Sequence, residues 1–281
     1  MAKLPSKPTT GQPRRITALA QVVQAGRLTQ NMIRVTLSAP EFAGLPATCA
    51  GGHCKIMLPA AGQSIDAFRT QLADGPKPVT RTYTIRNARP ETREIDIDFV
   101  AHGDDGPASA WAARARAGDV IGFAGPGAPK LTEFDADFYL FAADMSAIPV
   151  VAAGLEALPR DATGMAIFEI TSAGDRQQID APPGVTQHWL IHDDPHRASR
   201  EQVRIVEALR WPEGRVRTLI AGETGVVRSL RLLLRGDRGL DRRDVYASGY
   251  WRIGLAEDEH QKVKRAEAEA DEARLSQVNG G

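Results

Sequence analysis

Cysteine is scarce in this chain: among 281 residues there are two, Cys49 and Cys54. Two thiols cannot build a disulfide scaffold, and a cytosolic compartment keeps both reduced. His53 stands beside Cys54, but with Cys49 this makes a trio, one short of the four ligands of a structural zinc site, so no metal is expected. An excess of one charge is also missing, since 35 Lys and Arg are matched by 35 Asp and Glu. The balance argues against bulk nucleic-acid binding, which needs a basic excess. Local basic patches stay open, because a zero sum says nothing about distribution. No apolar run approaches the ~20 residues of a membrane helix, so stable membrane insertion is not expected. Lys3 and Lys7 are followed by Pro and Thr instead of the apolar stretch of a signal peptide. The expectation is a soluble, cytoplasmic protein, taken as a monomer. Internal repeats and low-complexity tracts are absent.

What is present suggests two domains, as the length allows. Residues 1–13 are polar and Pro-rich and read as a flexible arm. From residue 14 to 130 the texture is β. Ile16 to Leu19 and Val22-Val23 open it, Ile33 to Leu37 alternates as a half-buried strand, and Lys55 to Leu58 ends at Pro59. Arg81 to Arg86 and Ile95 to Val100 alternate again. Short strands separated by Gly and Pro predict a small antiparallel barrel. One helix interrupts them, Gly106 to Arg114, with Pro107 in its first turn. After the stiff Gly125 to Pro129 segment the rhythm becomes strand and helix in turn. Residues 131–255 therefore read as a three-layer α/β domain with a parallel sheet, beginning on the apolar run Phe138 to Ala143. Residues 256–281 read as a charged C-terminal helix and tail.

Arg81-Thr82-Tyr83-Thr84-Ile85-Arg86 carries the most chemical information. Alternation puts Arg81 and Tyr83 on one strand face, where a cation beside a flat ring suits a ligand with phosphates and a planar ring system. Thr84 adds a hydroxyl and a backbone N–H at the same level. The same pattern also describes a half-exposed strand with a cross-strand Tyr. About twenty residues on, His102-Gly103-Asp104-Asp105-Gly106 opens the helix that contains Ala108 and Ser109. A Gly-rich helix start presents free N–H groups and a positive dipole end to a phosphate.

With the barrel-then-α/β order, these residues resemble the ferredoxin–NADP reductase superfamily, and within it the siderophore-interacting branch of flavin-dependent ferric-siderophore reductases. The resemblance rests on Gly52-His53-Cys54-Lys55, Arg81 to Arg86, Asp98 to Gly103, and Gly106 to Ala112. It continues through Ala221-Gly222-Glu223, Val245 to Arg252, and Glu259-His260 followed by Lys264-Arg265.

The resemblance implies FAD in the barrel, held by Arg81, Tyr83, Thr84, Arg86, Val100, His102, Gly106, Ala108 and Ser109. It also implies that NADPH or NADH docks on the α/β domain near Asp144, Ser146 and Glu223. No G-x-G-x-x-G follows the first strand of that domain, and Met145 stands where the branch usually carries an acid. Arg228 and Arg231 are candidates for an NADPH 2′-phosphate. Lys55, Arg252, His260 and Lys264 are implied as a cationic site for an anionic ferric siderophore, the substrate. His260 and Lys264 also fit a solvated helix face. Electron transfer through flavin needs no catalytic acid, base or nucleophile. The alternatives are reduced ferredoxin as the electron source, another acceptor such as a quinone or free flavin, or a siderophore-binding protein without catalysis. His188, His192 and His196 fall four apart, but Trp189 to Ile191 reads as a strand and Pro195 breaks a helix, so they are not expected to share a metal.

Overall fold

The computed structural model describes residues 14–101 and 106–255. The expected arm (1–13), His102, and the terminal charged segment with His260 and Lys264 lie outside the described residues.

Strands β1 (Ile16–Thr29), β2 (Met32–Ser38), β3 (His53–Leu58), β4 (Val79–Arg89), β5 (Glu94–Val100) and β6 (Val120–Gly125) close into a barrel in the order β1-β2-β5-β4-β3-β6. All its pairings are antiparallel, as the alternating sequence predicts. On β5, Ile95, Ile97 and Phe99 fill the interior at 0% exposure. β1 is longer than its two apolar stretches suggest. Register shifts along its pairing with β2 let its first half pair β6 and its second half pair β2.

Two helices accompany the barrel, where one was expected. α2 (Pro107–Arg114) is the anticipated helix. α1 (Ile65–Asp74) was not anticipated: Ser64 caps it by accepting from the Ala67 N–H, and Phe68 alone is buried. A helix that buries one side chain carries no apolar stripe for periodicity to detect.

Beyond the barrel come β7 (Phe138–Asp144), α3 (Ile148–Ala157), β8 (Thr163–Ile170), β9 (Gly184–Ile191), α4 (Glu201–Ala208), β10 (Val216–Glu223), α5 (Thr224–Leu232) and β11 (Val245–Trp251). The five strands form a parallel sheet in the order β11-β10-β7-β8-β9. Tyr139, Phe141 and Ala143 of β7 pack with α3. Leu140 and Ala142 point the other way, into the core with α4 and α5. This is the expected three-layer arrangement. α5 runs on into a π-helical turn, Leu233–Asp237.

Barrel and sheet share a core. Met32 is fully buried among sheet and α3 residues, and Val100 packs against the same cluster. A polar joint lies beside it. Asp175, fully buried after β8, accepts from Thr29 Oγ1 at 2.8 Å, Asn31 N at 2.7 Å and Asn31 Nδ2 at 2.9 Å, all from the β1–β2 turn. Thr171 Oγ1 and Ser172 N donate to it from its own loop. Burial opposes ionisation of Asp175, but these donors outweigh it and hold the carboxyl below its usual range.

Inside the barrel wall, Asp96 is a second committed carboxylate. Arg89 holds it through two bonds at 2.7 and 2.8 Å, with Asn87 and Thr36 also donating. Burial again opposes ionisation, and the donors again win, bringing the group to about 2. A depressed folded value means a contribution present above the ordinary 3.8 and lost as pH falls toward about 2. Asp96→Asn is therefore expected to cost about 1–2 kcal/mol at pH 7. In urea melts the gap to wild type should close between pH 4 and 2; a constant gap over that window would contradict this account.

Candidate functional site

β4 runs between β3 and β5, and its register arranges the predicted residues. His53 pairs with Thr84, Cys54 with Tyr83, Lys55 with Thr82 and Ile56 with Arg81. Ile85 pairs with Ile97, which brings Tyr83 beside Phe99. Their ring centroids are 4.4 Å apart, and Trp111 of α2 stands 6.0 Å from Phe99. This aromatic ladder fixes α2 against β4 and β5. Arg81, Tyr83 and Thr84 lie on β4, Val100 ends β5, and Gly106, Ala108 and Ser109 open α2.

α2 starts at Gly106 in extended conformation, with no side chain capping it. Gly106, as the N-cap, has no side chain to bond the first-turn N–H groups. Ala108 and Ser109 are buried just inside it. A helix start, a guanidinium and an aromatic ring are the chemical types that suit a phosphate-bearing ligand with a planar ring.

Arg86, which the resemblance implies as a flavin contact, is engaged by α3. It is 6% exposed, and its Nη1 and Nη2 bond both oxygens of Glu156 on α3 at 2.7 and 2.5 Å. The structure makes it a clasp between barrel and sheet. Alternation along β4 puts Arg86 on the face of Thr84, opposite Tyr83 and Ile85, which pack with the barrel core.

The three residues expected at the donor site form one knot. Asp144 Oδ1 accepts from Ser146 N at 2.9 Å and Ser146 Oγ at 2.6 Å, and Oδ2 accepts from Glu223 N and Trp251 Nε1, both at 2.7 Å. Burial pushes the Asp144 carboxyl up, against these donors. Glu223 Oε2 takes the Val226 N–H and so caps α5. The knot sits at the C-terminal ends of β7, β10 and β11, the edge where open parallel sheets bind ligands. Met145 lies buried beside it, its sulfur 3.3 Å from Thr171 Oγ1.

Lys55 lies on β3, with Nζ 2.5 Å from Thr82 Oγ1, and Arg252 follows β11. The grouping of these two with His260 and Lys264 involves positions outside the described residues. Among the described residues no group of three His, Cys, Asp or Glu is placed to hold a metal. His192 instead pairs its Nε2 with the Arg197 carbonyl.

Four further residues were not singled out as site residues from sequence. Tyr250 lies near Thr84 and Tyr246, and burial pushes both phenols up. Lys130 places Nζ 3.3 Å from His53 Nδ1 and 5.7 Å over the Tyr246 ring. Tyr246, Ser248 and Tyr250 alternate along β11, and only contacts between distant segments bring Lys130 and His53 to them.

Comparison with known proteins places this geometry. The family model described as "Siderophore-interacting FAD-binding domain" matches residues 21–130, and the one described as "Siderophore-interacting protein" matches residues 136–254. Ferric vibriobactin reductase ViuB of Vibrio cholerae is 32% identical over 255 residues, covering 88% of this chain and 93% of that protein. The chain belongs to the siderophore-interacting protein family. The crystal structure of another siderophore-interacting protein, SipS from Aeromonas hydrophila, superposes with a TM-score of 0.76 at 32% identity, covering 90% of this chain and 98% of that one. The NADPH-dependent ferric-chelate reductase of Escherichia coli is 26% identical over 242 residues, covering 82% of this chain and 91% of that protein. The two matches divide the chain between residues 130 and 136, just after the Gly125 to Pro129 segment. The aromatic ladder lies within the first match and the Asp144 knot within the second.

Proposed function

We propose that this protein is a flavin-dependent ferric-siderophore reductase, taking electrons from NADPH or NADH and delivering them through FAD to Fe(III) held by a siderophore. The observation that carries the reading is the joining of Arg81, Tyr83 and Thr84 on β4 to the uncapped start of α2 by the Tyr83–Phe99–Trp111 ladder. Bound FAD accepts an electron pair and passes electrons on singly, which matches a two-electron donor to one-electron iron; that chemistry is the cofactor's.

The residues supply place and field. Arg81 and the α2 N–H groups meet the pyrophosphate charge, Tyr83 lies against the ring, and Thr84 sets a hydroxyl at its edge. Val100, Ala108 and Ser109 close the wall, with His102 as a further contact. The Asp144–Ser146–Glu223 knot shapes the backbone on which the nicotinamide donor docks, and Arg228 and Arg231 recognise a 2′-phosphate. Lys55, Arg252, His260 and Lys264 attract an anionic ferric chelate. Hard oxygen ligands hold Fe(III) better than Fe(II), so reduction loosens the iron. The protein acts as a cytoplasmic monomer, and reduced ferredoxin is the alternative electron source.

Purified protein is expected to be yellow and to show flavin absorption. Arg81→Ala should lose at least about tenfold in FAD affinity, measured by titrating the apoprotein, since one charge-assisted contact to phosphate contributes about 1.5–3 kcal/mol. A colourless wild type that cannot be reconstituted with FAD would sink the reading.

A further inference from the structure

The parallel sheet reverses direction at β7. In the order β11-β10-β7-β8-β9 the chain moves outward through β8 and β9, then returns to the other side of β7 with β10 and β11. Open parallel sheets bind ligands outside the carboxyl ends of their strands at such a point, so a dinucleotide centred on β7 lays one half over β8 and the other over β10. The β11 side adjoins the barrel strands of the flavin reading. Lys130 Nζ lies over the Tyr246 ring of β11 and 3.3 Å from Nδ1 of His53, the cross-strand partner of Thr84. A nicotinamide that reduces a flavin held there takes the β10–β11 side, which leaves the adenosine half over β8.

β8 ends on a carboxylate. Glu169 stands in register with Asp144 of β7. Alternation from Ile167 and Ala142, which share one core, puts both acids on the same face. They differ in what remains open. Each oxygen of Asp144 already takes two donors. Glu169 Oε2 accepts from Ser199 Oγ at 2.6 Å, which anchors the carboxylate to the loop before α4. Its Oε1 takes no donor among the described residues, and the side chain is half-buried, so this oxygen is the open acceptor at the end of β8.

We propose that Glu169 accepts the 2′-hydroxyl of the donor's adenosine ribose and so makes NADH the preferred nicotinamide. The proposal deepens the donor-site reading above and rests on it. β8 is the second strand of this sheet in chain order, the place where a carboxylate meets the ribose in other dinucleotide-binding sheets. A hydroxyl can donate to Glu169, whereas a 2′-phosphate brings negative charge against it. Burial, the main cause, pushes the Glu169 carboxyl up, and Asp144 and Glu201 act in the same direction, against Ser199 and His192. Further negative charge at so sheltered an edge is costly. Arg228 and Arg231 lie on α5, which follows β10, so NADPH gains their charges only by giving up the contact at β8.

The test compares ADP-ribose with 2′-phospho-ADP-ribose by titration calorimetry on the flavin-loaded protein, which isolates recognition from electron transfer. ADP-ribose should bind at least about tenfold more tightly, as one hydrogen bond to a charged acceptor allows. In Glu169→Gln, which keeps an acceptor for Ser199 and removes the charge, the ratio should fall to about threefold or less. ADP and 2′-deoxy-ADP separate recognition from a structural role. Wild type should lose about tenfold without the 2′-hydroxyl and the variant clearly less, whereas a structural role would weaken both probes alike. Equal binding of the two ADP-riboses by wild type, or tighter binding of the 2′-phosphate, overturns the proposal, and so does an unchanged ratio in the variant. If Glu169→Gln fails to fold, Ser199→Ala, which releases the carboxylate from its anchor, must lower the same ratio; no change there also overturns it. A protein that binds neither ADP-ribose overturns the donor-site reading itself, a result distinct from binding both without preference.

Discussion

Glu156→Ala is expected to destabilise the protein by about 3 kcal/mol, because it strands the buried guanidinium of Arg86. The Arg86 side chain is 8% exposed and Glu156 33% exposed, so the arginine cannot recover its hydration by a small movement. Its Nε has no hydrogen-bond partner, and without Glu156 the remaining side-chain contact is the 3.1 Å bond to Asn87. The partial exposure of Glu156 places the estimate at the low end of the range for breaking a buried pair. Replacing both partners by apolar residues of similar volume, Arg86→Met with Glu156→Leu, should recover most of the loss. Urea denaturation of the two single variants and the double variant measures the coupling. A Glu156→Ala protein as stable as wild type would show that the clasp contributes nothing.

Gly222→Ala should be as damaging, at about 3 kcal/mol, through a different mechanism. Gly222 has φ +138, a conformation that L side chains rarely adopt. A Cβ there would also meet Asp144 Oδ2 at 2.6 Å and Cγ at 2.7 Å. The carboxylate cannot step aside without breaking some of the bonds it accepts from Ser146, Glu223 and Trp251. Strain and lost hydrogen bonds therefore add. Thermal unfolding should show the loss, and indole fluorescence should report release of Trp251. Unchanged melting with unchanged emission would mean that the backbone turns here at no cost.

The barrel and the parallel sheet were legible because their periodicities differ. β5 alternates with period two, and β7 is apolar throughout because both its faces are covered. α1 was missed because it buries only Phe68, and β1 was underestimated because its bend interrupts the alternation. At the site, Arg81, Tyr83 and Thr84 could be read because one strand carries them in a fixed order. Arg86 belongs to the same motif, but its ion pair with Glu156 joins positions far apart in the chain, which a single strand's sequence does not display. The Asp144–Ser146–Glu223 grouping followed from their places at strand ends. Trp251 as its fourth member, and Tyr250 on Thr84, depend on how the last strand docks beside β10 and reaches the barrel.

The shared core has a consequence for synthesis. Met32, Thr84, Arg86 and Val100 are made early, yet the groups that cover them lie between Tyr139 and Tyr250. At ordinary elongation rates that interval lasts roughly 6–24 s, long compared with the folding of a small barrel. A nascent chain that has just emerged past Pro129 therefore holds a closed barrel with one bare wall, including an arginine that still lacks its carboxylate. The last strand of the sheet completes that wall, so the covering of the barrel waits on the synthesis of β11.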